Sequence, residues 1–133
     1  MWADWTEYQQ AYPASAALID ADQYAELARQ AELLINARTH YMARSASTEA
    51  ETAVLGACQM ALVQALESET QEDAARGGSG GLLSANNSGY SETYASAEDI
   101  RVYRQRIHQT TIQQYLSASE TAWMLYQGGV YHA

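Results

Sequence analysis

Residues 48–65 read TEAETAVLGACQMALVQA. Thr48 followed by Glu51 is a capping box: the threonine hydroxyl accepts from a first-turn amide, and the glutamate reaches back to the cap. Behind it Ala53, Val54, Ala57, Cys58, Ala61, Leu62 and Ala65 recur at helical spacing as a stripe of mostly small residues. Small side chains let a neighbouring helix come close, so this stretch predicts a central helix over 49–74. Gly56 weakens it by roughly 1 kcal/mol relative to alanine. Its far end carries Glu67, Glu69, Glu72 and Asp73, which oppose the negative pole of the helix dipole. That end is expected to fray unless something covers it.

Working outward, Asp20 or Asp22 can cap a helix over 21–42. Tyr24, Leu27, Ala28, Ala31, Leu34, Ile35 and Met42 form its apolar face. Upstream, Trp2, Trp5, Tyr8 and Tyr12 form an aromatic arm with a short helix that Pro13 ends, read as cover for the core. Downstream, Ser96 with Asp99 caps a helix over 97–117. Its stripe is Ile100, Tyr103, Ile107, Thr111 and Tyr115, widened by Ile112 and Leu116. A further short helix is expected at 119–126, stopped by Gly128-Gly129. The segment 77–96 differs in character: a Gly77–Gly81 run, then Leu82-Leu83, then a turn near Asn87–Gly89. It reads as a flexible excursion with room for a short hairpin, arms near 82–85 and 90–94. The expected fold is one all-α domain over 1–133. It is a bundle of three to four helices with the excursion at 77–96 and an extended C-terminal tail at 118–133.

Composition narrows function. The 133 residues carry a formal charge of −9, and the seven basic residues are all arginine. That field repels nucleic acid. Ten tyrosines and three tryptophans carry the aromatic content, with no phenylalanine. Tyrosine and tryptophan suit half-wet contacts, which favours an interaction protein. The single cysteine, Cys58, sits among alanines and leucines and reads as a small buried residue of a reducing compartment. The opening residues do not form a signal peptide, and no apolar run nears the ~18 residues a bilayer span needs. A soluble protein made in the cytosol is expected.

No catalytic constellation emerges. His40, His108 and His132 lack metal-ligand spacing, so no metal and no cofactor is expected. No serine sits in a nucleophile elbow, and the glycine run lacks the Lys-Ser/Thr of a phosphate loop. Arg101, Arg104 and Arg106 are too few for a nucleic-acid patch and are expected to pair with carboxylates. What remains is a helical body with two adhesive extensions, the 77–96 loop and the aromatic, uncharged C-terminal segment. This layout suits assembly through extensions.

The order of four local patterns resembles the head–tail connector (adaptor, or head-completion) proteins of long-tailed bacteriophages and prophages. These are Tyr8 and Tyr12 before the first long helix; Tyr24…Ala31…Ile35-Asn36…Thr39; Ser88-Gly89-Tyr90-Ser91-Glu92-Thr93-Tyr94; and Tyr115-Leu116…Thr121…Leu125-Tyr126-Gln127-Gly128-Gly129. The chain departs from the family at Asn36, where Asp is usual, and at Gln127, where Arg is usual. The resemblance implies a structural virion protein of the neck, assembled in the host bacterial cytoplasm. Its partners would be the portal protein, a neck stopper or tail-completion protein, and further copies of itself in a ring, commonly a dodecamer. DNA would pass through the channel without specific binding, which the −9 charge suits. The expected contact residues are Gly89, Tyr90, Ser91 and Tyr94 in the loop, and Tyr126, Gly128, Gly129, Val130 and Tyr131 in the tail. Two other readings are a neighbouring stopper or tail-completion protein and a small acidic helical regulator of a host protein.

Overall fold

A computed structural model of the chain describes residues 1–75 and 97–129, with side chains in the second stretch through Tyr126. The elements in order are α1 (Trp5–Ala11), α2 (Pro13–Ala16), α3 (Ala21–Arg38), a 3-10 turn (Met42–Ser45), α4 (Glu49–Ala75), α5 (Ala97–Leu116) and a 3-10 run (Ala122–Gly129). The described residues contain no strand, and the fold is a small all-α bundle. The hairpin expected at 82–85 and 90–94 and the Ser96 cap lie outside the described residues.

The capping chemistry is local and strong. Asp20 takes the cap of α3, accepting from the Gln23 amide at 2.8 Å while Gln23 Oε1 accepts from the Asp20 amide at 2.9 Å. Thr48 and Glu51 do the same for α4, both bonds at 3.1 Å. Asp4 and Glu7 form a third reciprocal box on α1. Pro13 does not simply end the first helix. It begins α2, where its missing amide costs nothing.

The expected helix over 21–42 stops at Arg38. His40 and Tyr41 adopt positive φ, 52° and 68°, which breaks the ladder and turns the chain into the Met42–Ser45 turn. The Thr39 hydroxyl consolidates this corner, donating to the Ile35 carbonyl at 2.9 Å and accepting from the Ala43 amide at 3.2 Å.

Helix α4 is central, packing on α3 and α5, which touch each other only lightly. Its inward face is Leu55, Gly56, Cys58, Gln59, Leu62, Val63 and Glu67. The small-residue stripe is therefore only partly right: Cys58 and Leu62 are buried, whereas Ala53 is exposed and Ala57, Ala61 and Ala65 are half-buried. The helix turns its larger aliphatics inward, because area removed from water sets the gain. Likewise α5 buries His108, Ile112 and Leu116, and Tyr103 of the expected stripe is exposed. Tyr8, Tyr24, Ala28, Ala31, Ile35 and Met124 complete the core.

The aromatic arm is core in its own right. Tyr8 and Tyr24 are fully buried with ring centroids 5.0 Å apart, and Trp5 and Tyr12 pack against them. Gly56 exists for this arm. A Cβ there would lie 2.8 Å from the Trp2 carbonyl oxygen, a backbone atom that cannot swing aside. Gly56→Ala gains roughly 1 kcal/mol of helix propensity but forces the arm off the helix, an overpacking cost of about 1–3 kcal/mol. A urea midpoint lowered by up to about 2 kcal/mol of stability is expected, and a raised one would refute the contact.

Burial also sets alkaline behaviour. Desolvation pushes the Tyr24 hydroxyl up to about 12, with Asp4 and Glu7 adding to it. Desolvation pushes Tyr8 further still, aided by its contact with Glu67. A phenol whose folded pKa is raised favours the folded state below its unfolded value near 10. That stability is lost as pH rises from about 10 through 12. A tyrosinate absorbance titration should show these two phenols ionising only as the helical circular dichroism collapses.

Candidate functional site

The described residues next to the two segments expected to contact partners lie at opposite ends of the body. Helix α5 runs antiparallel to α4. Arg104, near the start of α5, meets Asp73 at 3.0 Å and Glu72 at 3.2 Å near the end of α4. One turn on, His108 Nε2 lies 2.7 Å from Glu69. Beyond α5, Trp123 Nε1 donates to Glu51 Oε2 at 3.0 Å, at the start of α4. Glu51 and Ala75 bracket the long helix and are thus roughly 36 Å apart at about 1.5 Å per residue. Helix α4 ends and α5 begins at the Ala75 end, and the described C-terminal 3-10 run sits at the Glu51 end.

The acidic end of α4 is covered, as the sequence required. Arg104, four-fifths shielded, spans Glu72 and Asp73, and hydrogen bonding to Asp73 pushes its own pKa up. Glu69 and Glu67 are not solvated carboxylates. His108 holds the first, and the Tyr8 hydroxyl donates to the second at 2.9 Å. Arg101 pairs with Glu98 along α5. Val102 and Tyr103 stand exposed beside this end. Gly89, Tyr90, Ser91 and Tyr94 lie outside the described residues.

At the other end the chain after α5 folds back onto the core. The Thr121 hydroxyl donates to the Leu116 carbonyl at 3.0 Å, closing the turn, and Met124 enters the core with no exposed surface. The short helix expected at 119–126 is instead the 3-10 run Ala122–Gly129, so Gly128 and Gly129 belong to its last turn. Tyr126 is 61% exposed. Val130 and Tyr131 lie outside the described residues.

Three residues that were not among the expected contacts sit at this end. Glu51 accepts from the Ser47 and Thr48 amides and from Trp123, and these bonds, the Ser47 amide first, hold its carboxyl below the ordinary range. Trp123 is 37% exposed. Tyr41, 56% exposed, lies under the Arg44 guanidinium, 5.7 Å from its ring centroid. The Met42–Ser45 turn touches the 3-10 run, so Tyr41, Trp123 and Tyr126 occupy adjoining elements. The positive φ of Tyr41 marks a corner that a sequence pattern does not announce.

Burial pushes the Cys58 thiol up to about 12. No three His, Cys, Asp or Glu side chains converge as metal ligands among the described residues. No helix among them is long and apolar enough to cross a membrane. The ends of the bundle therefore define a class: a small helical body presenting aromatic surface at its termini. No family model, no curated protein and no solved structure matches the chain.

Proposed function

We propose that this chain is a head–tail connector subunit of a long-tailed phage neck, forming a ring beneath the portal and passing the DNA channel on to the next neck protein. One observation carries the reading. The described C-terminal run packs at one end of α4, and the residues that flank the loop motif lie at its other end, roughly 36 Å away along the helix. A subunit that must hold the portal on one side and a stopper or tail-completion protein on the other needs that separation. The net charge of −9 supports a channel wall that DNA slides past. Tyr126 and Trp123, aromatic and exposed beside buried Met124, suit an interface anchored on a firm base.

The test is co-expression with the portal and with the tail-tube protein encoded beside the gene. Copurification with the portal as a ring, seen by negative-stain electron microscopy, is expected. Copurification with the tail tube alone would move the protein down the neck, to the stopper or tail-completion position. A monomer or dimer captured only with a cytosolic host protein would favour the acidic regulator.

A further inference from the structure

Between the first half of α3 and the second half of α4 lies an open groove of about 310 Å3 that the connector reading does not use. Leu18, Ile19 and Leu27 give it an apolar wall, and Thr70 and Gln71 edge it. Glu67 also lines it and is only 3% exposed. A carboxylate so far out of water normally has a cationic partner or several donors. Here one donor serves it, the Tyr8 hydroxyl at 2.9 Å on Oε1. No arginine pairs with it among the described residues, and the Tyr8 bond is the one it receives there; Oε2 is not among the fully enclosed atoms left unpartnered, so it meets the solvent of the groove. The nearby rim carboxylate, Glu26, is already occupied by Arg29 at 2.7 Å and Gln30 at 3.0 Å. The groove thus offers one shielded negative group beside an apolar wall.

We infer that this groove receives an arginine side chain from a partner protein, its guanidinium on Glu67 and its methylenes along Leu18, Ile19 and Leu27. Arginine fits better than lysine because its guanidinium is weakly hydrated and enters a desolvated site at lower cost. Its stem covers apolar surface. Leu18, 63% exposed at the mouth, would be covered by the partner that presents it. This inference stands independently of the neck assignment.

The test is an amide NMR titration of the full chain with N-acetyl-arginine methylamide, which is arginine as a protein presents it. Saturable shifts at Leu27, Glu67, Thr70 and Gln71 are expected. Glu67→Gln should weaken binding at least about tenfold, the loss of one charge-assisted bond. Thr70→Tyr, which keeps Glu67 but fills the groove, should abolish the shifts and carries the test where Glu67→Gln loses its dispersed spectrum. Ethylurea, neutral and of similar shape to ethylguanidinium, should leave the groove unshifted. Free arginine should bind more weakly, because its α-carboxylate meets the acidic rim. Absence of saturable shifts, an equal response to ethylurea, tighter binding of free arginine, or full binding by Thr70→Tyr would each overturn the inference.

Discussion

Replacing Gln59 with leucine is expected to destabilise the protein by about 3–5 kcal/mol and to release the N-terminal arm. Gln59 is fully buried in the middle of α4. Its Oε1 accepts from the Trp2 amide at 2.8 Å and from the Ala3 amide at 3.0 Å. Its Nε2 donates to the Ala28 carbonyl of α3 at 2.9 Å. One side chain therefore satisfies three backbone groups from two other segments. Leucine matches its volume but strands all three, at roughly 1–3 kcal/mol per buried unsatisfied group, partly relieved by water entering as the arm lifts. Against a typical total of about 5–15 kcal/mol, the loss leaves a marginal fold. Urea unfolding measures the energy. Hydrogen exchange at the Trp2 and Ala3 amides, expected to lose protection, locates it. A loss below about 1 kcal/mol would show that the arm is held without Gln59, by its ring packing and by the Tyr24 hydroxyl on the Ala3 carbonyl at 2.6 Å.

On the connector reading, ending the chain after Leu125 is expected to leave the helices intact and abolish portal docking. The cut keeps Met124, which is fully buried, and the Trp123–Glu51 bond, so the core loses nothing it contains. It removes Tyr126, the most exposed aromatic of the 3-10 run, and all that follows. Circular dichroism and the thermal midpoint should stay close to those of the full chain. Affinity for the portal should fall roughly 100-fold or more, the scale of losing an aromatic hot spot. Wild-type docking by the truncated chain would place the contact elsewhere. A collapsed midpoint would mean that the tail serves the fold instead.

Much of the architecture was legible because local signals and burial agreed. The Thr48–Glu51 box and the Asp20 cap set two helix starts where they occur, and the acidic end of α4 demanded the cover that Arg104 and His108 provide. The failures share a cause. Small-residue spacing identified α4 as central but chose a partly wrong face, since alanines permit close approach without requiring it. Gln59 and Glu67 were invisible as core residues, because their burial depends on partners 56 and 59 positions away. The end of α3 at Thr39 could not be read from periodicity, because Met42 fits the stripe and the break lies in two backbone torsions. For the candidate site, Tyr126 was named from the family resemblance, and its side chain is exposed. Tyr41 and Trp123 join it only through the packing of two 3-10 segments.

The measurement that bears most directly on the central claim is deletion of the gene from the genome that encodes it, followed by electron microscopy of the particles released. The connector reading predicts separate heads and tails, with heads that have lost DNA, restored by the full chain supplied in trans but not by the chain cut after Leu125. Intact infectious particles from the deletion would contradict it.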